Sequence, residues 1–166
     1  MTLIRFGFAA ALASLVSFAC AAPAGAALIM HRVLPLDIAK TIAEGAVAAC
    51  AAKGYAVSAV VVDADGETIV EMRGDNAGIV TVENARRKSY TAVAFKQTTK
   101  DYAKKLEDPN SVVHQQITLP SIIAIPGGVP IKVGDEIVGG VGVSGSPGVD
   151  EDCVNAGLDK VKDQLQ

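Results

Sequence analysis

The residues of this 166-residue chain best suited to ligand chemistry are two histidines. Neutral imidazole is a common metal ligand, so both are candidate metal-binding residues. His31 precedes the first predicted helix, where it can act from an N-terminal arm or remain exposed on a loose terminus. His114 lies in a predicted loop, where a ligand and a solvated side chain are both reasonable interpretations.

A compact run of cations, Arg86-Arg87-Lys88, forms the second feature that could bind a ligand. Consecutive helical residues point in different directions, so at most one or two of the three can contact a single anionic ligand. Lys88 and Thr91 are three positions apart, share one helix face and could line a pocket together. A solvated face or an inter-subunit salt bridge would explain the same run.

Other catalytic patterns are weak in this sequence. The glycine-rich stretches match neither a P-loop nor a dinucleotide fingerprint. Ser144, His114 and Asp150 could form a triad on paper, but nothing places Ser144 on a nucleophile elbow. The acids at 150–152 could hold a metal, although the start of a helix also favours negative charge. No nucleophile–base pair therefore favours an enzyme.

Periodicity predicts the helices that position these residues. Four are expected, at 37–53, 80–96, 100–106 and from Asp150 onward. Gly54 is a suitable stop for the first helix, and Thr98-Thr99 can cap the third.

The β-rich segments predict five strands, at 56–62, 68–72, 121–125, 129–133 and 136–144. Tight turns at Asp65-Gly66 and Gly134-Asp135 require antiparallel pairing. Glycines 139, 140 and 142 indicate close approach by another backbone or by a flat ligand. Helices before, between and after the strands can cover both sheet faces. The expected α/β (α+β) fold is a three-layer α/β/α sandwich around a five-stranded antiparallel sheet.

Residues 1–26 are predicted to form a secretory signal peptide, and residues 27–166 a single domain. Arg5 precedes the apolar segment Phe6–Ala19, and small residues allow cleavage after Ala21, Ala24 or Ala26. A retained membrane anchor is the alternative, which the short apolar segment disfavours. We therefore expect a periplasmic or secreted protein without a membrane partner after cleavage. The net charge of −3 of the full chain gives no reason to expect nucleic acid as a partner.

The sequence does not decide whether the cysteines are free thiols or form a disulfide. Cys20 falls in the predicted signal peptide, and Cys50 and Cys153 remain in the domain. Export permits a disulfide between them, whereas buried free thiols are the simpler interpretation and the one favoured here.

Two blocks of sequence occur in a specific order. The first block is VVDADG at 61–66, MRGD at 72–75 and ARRKSYTA at 85–92; the second is GGVPI at 127–131, GVGVSG at 140–145, DE at 150–151 and AGL at 156–158. Together they resemble the GlcG/HbpS-like haem-binding family. The resemblance implies a profilin-like fold, homo-oligomers and haem as cofactor. Haem needs an axial ligand, an apolar slot and cations for its propionates. The candidates are His31 and His114 for the iron, Arg86, Arg87 and Lys88 for the propionates, and Lys88 with Thr91 for the lining of the pocket.

Three functional hypotheses follow. The first is an exported haem-binding protein that stores, scavenges or senses haem. The second is an enzyme acting on a small molecule, such as a haem-degrading protein. The third is a structural oligomeric module without a catalytic role.

Overall fold

A computed structural model describes residues 28–166, so the predicted signal peptide lies outside the described residues. The chain divides into a unit that ends at Met30, of which residues 28–30 are exposed coil, and a larger unit, His31–Gln166. None of the helices in residues 28–166 is long and apolar enough to cross a membrane. The following description concerns the larger unit.

This unit contains five α-helices and four strands. They are α1 Leu36–Ala52, β1 Ser58–Asp63, β2 Thr68–Arg73, α2 Thr81–Ala94, α3 Thr99–Lys104, α4 Val113–Gln116, β3 Gly128–Val133, β4 Glu136–Ser144 and α5 Asp150–Asp159. The expected helix boundaries have local causes. Gly54 adopts φ +82° directly after α1, and the Thr98 hydroxyl accepts a hydrogen bond from the Asp101 amide at 3.1 Å.

The sheet is antiparallel, with strand order β2-β1-β4-β3. The prediction of a mixed fold around an antiparallel sheet is confirmed, whereas the prediction of a fifth strand at 121–125 is wrong. That segment has no ladder partner and is bound instead to α2. The Ile123 amide donates to the Thr91 hydroxyl at 3.0 Å, and the Arg87 guanidinium donates to the Ile122 carbonyl. Burial of Ile122 in a cluster with Tyr102 and Val113 explains why the segment is apolar without being a strand.

Alternate side chains of the central strand β1 contact different helices, as strand geometry requires. Ala59 and Val61 pack in the cluster that contains the buried residues of α1 and α5. Val60 and Val62 pack instead with Ala85 and Val93 of α2. This alternation makes β1 the centre of the core.

The glycines of β4 accommodate the backbone of α2. A Cβ atom at Gly142 would lie 2.1 Å from the Ala85 carbonyl oxygen, and one at Gly140 would lie 2.7 Å from the Ser89 carbonyl oxygen. The sequence left open whether these glycines face another backbone or a flat ligand. In the structure they face the backbone of α2, which leaves no room for a flat ligand there.

Cys50 of α1 and Cys153 of α5 form a disulfide. The favoured interpretation of two free thiols is wrong, because α1 and α5 pack more closely than the sequence alone suggested. A Cβ atom at Gly45 would lie 3.0 Å from the Gly157 Cα atom. This contact between small residues brings the two cysteine Cα atoms to 5.5 Å, within the range of a disulfide.

Candidate functional site

The three cations of α2 occupy three different environments. Arg86 lies near the surface, where its Nε donates to Glu83 Oε2 at 2.9 Å. Arg87 is half-buried and donates to the Ile122 carbonyl, while its Nε atom is buried without a hydrogen-bond partner. Lys88 is only 1% exposed. The helical spacing thus separates the three charges, as the sequence predicted.

Lys88 forms a buried ion pair with the first residue of α5. Its Nζ donates to Asp150 Oδ2 at 2.7 Å and to the Val143 carbonyl at 2.8 Å. Burial lowers the pKa of the Lys88 amine below its ordinary value, although the bond to Asp150 acts in the opposite direction. The amine is therefore engaged inside the fold.

Asp150 extends this ion pair toward the disulfide. Its Oδ1 accepts from the Ser146 amide at 2.8 Å and from the Ser146 hydroxyl at 2.7 Å. The same hydroxyl oxygen lies 3.0 Å from Cys50 Sγ. The possible triad with Ser144 and His114 is not assembled, because Asp150 is bonded to Lys88 and Ser146, and His114 Nε2 lies beside the Asp108 carbonyl oxygen.

A cleft of about 320 Å³ lies at the start of α5. Asp150, Glu151 and Lys100 contribute to its lining. Burial raises the pKa of Glu151, whose Oε2 is buried without a hydrogen-bond partner. No group of three or more metal-binding side chains occurs in residues 28–166, so these acids do not constitute a metal centre.

Thr91 and His114 differ in burial and in hydrogen-bond partner. Thr91 is buried and holds the 122–123 segment through the bond to the Ile123 amide. His114 is exposed in the short helix α4 rather than in a loop, and its Nε2 lies 3.1 Å from the Asp108 carbonyl oxygen. Neither residue lines the cleft that contains His31.

His31 borders a cleft of about 380 Å³ between the end of α2 and the β3–β4 turn. The lining combines three apolar side chains with four ionisable ones: Ala64, Val93 and Ile137, and His31, Lys96, Asp135 and Glu136. The site therefore offers an imidazole, an apolar surface and an ammonium group within one cleft. Of the five predicted site residues, only His31 lies in it.

The N-terminal arm that carries His31 is anchored to β4. The Arg32 amide donates to Glu136 Oε1 at 2.8 Å, and the Arg32 guanidinium donates to Oε2. These bonds to Arg32 hold the pKa of Glu136 below its ordinary value. Two residues further on, Leu34 is only 4% exposed and joins the core.

Lys96 is one of the residues of this cleft that the sequence analysis missed. It follows α2 in the left-handed conformation, with φ +55°, which is uncommon for a residue other than glycine. A cation just after a helix, where the dipole favours positive charge, was the signal available in the sequence. Only the folded chain brings it near residue 31.

Part of the chain is similar in sequence to known bacterial proteins. The chain is 31% identical over 86 residues to an uncharacterized 15.0 kDa protein from the dhaT-dhaS intergenic region of Citrobacter freundii. It is 29% identical over 90 residues to protein GlcG of Escherichia coli K12. These matches cover 51% and 54% of this chain and 61% and 65% of the two relatives.

The fold is similar to a crystal structure of a double mutant of Streptomyces reticuli HbpS, with a TM-score of 0.75 and 34% identity. The similarity covers 86% of this chain and 98% of the HbpS chain. Residues 34–159 match the family described as "Haem degrading protein HbpS-like". That match spans most of the described residues and confirms the resemblance found in the sequence. The chain belongs to the HbpS-like family, the family of GlcG and HbpS.

Proposed function

We propose that this protein binds haem in the cleft beside His31. The observation that carries the proposal is the meeting of His31, Lys96 and an apolar surface in one cleft of about 380 Å³. Membership of a family described as haem-degrading supports the choice of haem over another flat ligand.

The residues present fit the chemical requirements of haem. The His31 imidazole would bind the iron, Val93 and Ile137 would contact the porphyrin, and Lys96 would pair with a propionate. Bound haem would supply the redox and gas-binding chemistry of its iron. Asp135 would repel propionates, which favours the Lys96 side of the cleft for them.

The other predicted haem residues lie elsewhere and their roles remain predictions. Lys88 and Thr91 are buried, and their polar atoms are bonded within the fold. His114 and Arg87 are outside the His31 cleft. The cleft assignment therefore depends on His31 and Lys96.

A hemin titration tests this proposal. We expect the purified protein to shift the Soret band, His31→Ala to abolish the spectrum of imidazole coordination, and His114→Ala to leave it unchanged. Lys96→Gln should weaken hemin binding more than binding of the hemin dimethyl ester, which lacks free carboxylates. A Soret shift that survives His31→Ala but disappears with His114→Ala would overturn the cleft assignment.

Export is proposed together with haem storage, scavenging or sensing. The Cys50–Cys153 disulfide supports export, because structural disulfides persist in oxidising compartments. N-terminal sequencing of the protein recovered from the periplasm and medium of its host tests this. An intact Met1 on cytoplasmic protein would count against export.

Haem degradation is the second candidate function, and the description of the family favours it. Incubation of the haem complex with a reductant and oxygen separates degradation from binding alone. Loss of the Soret band with appearance of a bilin product would show turnover, whereas a stable spectrum would indicate a binding protein.

We propose, as the third element, that the protein forms homo-oligomers. Adjacent apolar side chains at the start of α2 support this, because Ile79 is 88% exposed and Val80 is 61% exposed. Size-exclusion chromatography with light scattering measures the mass, and Ile79→Asp tests this patch. A monomeric wild-type protein would contradict the proposal.

A further inference from the structure

We infer that the Arg32–Glu136 pair positions His31 for ligation, a role that rests on the proposed haem function. Glu136 would then be a positioning residue, since its hydrogen bonds are to Arg32 and hold the backbone beside His31. The inference concerns the same cleft and explains how a residue near the chain terminus can serve as a defined ligand.

The contact fixes backbone as well as side chain. Glu136 uses one carboxylate oxygen for the Arg32 amide and the other for the Arg32 guanidinium. An ordinary exposed ion pair joins two flexible side chains and constrains the chain little. Here the bonded amide belongs to the residue directly after His31, so the bond restricts the backbone that carries the imidazole.

A second anchor restricts the same arm from its other side. Leu34 is buried among residues of the main core cluster, and the Pro35 carbonyl accepts from the Ala39 amide in the first turn of α1. Arg32 and Leu34 are thus held on β4 and in the core, respectively. His31, which carries the imidazole, directly precedes the anchored Arg32.

Because the arm is already anchored, haem binding would have to immobilise fewer groups of the protein. Immobilising one rotamer-rich side chain costs enough to weaken binding roughly two- to tenfold. We therefore expect Glu136→Ala to weaken hemin binding by about this factor and to shift the spectrum away from imidazole coordination. Glu136→Gln keeps an acceptor for the Arg32 amide and should restore part of the effect.

Asp135 provides the matched control, because it lines the same cleft and carries the same charge but makes neither bond to Arg32. The first measurement uses no haem: ¹⁵N relaxation by NMR at the amides of residues 31 and 32. We expect ordered amides in the wild-type protein and in Asp135→Ala, and mobile ones in Glu136→Ala. The second measurement is the hemin titration of the same variants.

Several results would overturn the inference. One is equal mobility of residues 31 and 32 in the wild-type protein and Glu136→Ala; another is equal loss of binding in Asp135→Ala, because Asp135 makes neither bond to Arg32. Unchanged imidazole coordination in Glu136→Ala would also refute it. A wild-type protein that gives no His31-dependent spectrum refutes the haem function and the haem role of the pair together, while NMR separately decides whether Glu136 orders the arm.

Discussion

Removal of the Lys88 amine should strongly destabilise the fold. Lys88→Met preserves much of the apolar stem but leaves Asp150 Oδ2 buried without its cation. Breaking a buried ion pair from one side costs about 3–5 kcal/mol, since one charge then remains unpaired. The Ser146 bonds to Oδ1 persist and place the expected loss near the lower end of that range. The free energy of unfolding of a folded domain is about 5–15 kcal/mol, so the variant should lose a large share of its stability.

A double-mutant cycle measures how much of this loss belongs to the pair. Lys88→Met, Asp150→Asn and the double variant are unfolded in urea and followed by far-UV circular dichroism, because the chain contains no tryptophan for fluorescence. The free energy of unfolding lost in the double variant should be about 2 kcal/mol smaller than the sum of the two single losses. Lys100→Met, an exposed lysine at the neighbouring cleft, is the matched control and should change stability by less than about 0.5 kcal/mol.

The reasoning is refuted if the two single losses add within about 0.5 kcal/mol. It is also refuted if Lys88→Met is as harmless as Lys100→Met. Either result would mean that the buried pair contributes no specific coupling between α2 and α5. An unchanged dependence on urea concentration across the variants is required before the free energies are compared.

Three further predictions concern other parts of the fold. Replacing both Cys50 and Cys153 by alanine should lower the free energy of unfolding by about 2–5 kcal/mol, because the bond closes a loop of 103 residues; an unchanged urea midpoint would contradict this. Gly142→Ala should cost at least about 2 kcal/mol, as its Cβ would clash with the Ala85 carbonyl; Gly134→Asn, in an open turn with φ +60°, is the control, and equal midpoints would contradict the close packing of α2. Because burial raises the pKa of Glu151 in the folded state, its contribution to stability is lost as pH rises from its ordinary pKa through the raised value. The gain in melting temperature of Glu151→Gln over the wild-type protein should therefore be larger at pH 7 than at pH 4. Asp152→Asn should show a smaller difference between the two pH values, and identical pH profiles of the two variants would contradict this.

Local signals in the sequence predicted local structure well. Gly54 ends α1 and Thr98 caps α3, because turn and cap preferences depend on residues within a few positions. The antiparallel pairing also followed from short turns. These features need no information about distant parts of the chain.

Features that depend on distant contacts were missed. Residues 121–125 are apolar and β-rich, yet their backbone is bonded to Arg87 and Thr91 side chains instead of a neighbouring strand. The disulfide depends on the close packing of Gly45 against Gly157, and those residues are far apart in sequence. Lys96 belongs to the His31 cleft only because the β3–β4 turn and the N-terminal arm meet the end of α2.

The packing of α2 determines where a ligand can bind. Its face toward the sheet is closed, since carbonyl groups of Ala85 and Ser89 lie directly over Gly142 and Gly140. Lys88 on the same side is bonded to Asp150 and Val143, so its ammonium group is engaged within the fold. A cationic helix face over a glycine-rich strand therefore predicts close packing as readily as it predicts ligand binding. At the end of α2 there is more room, because Val93 and Lys96 border the His31 cleft.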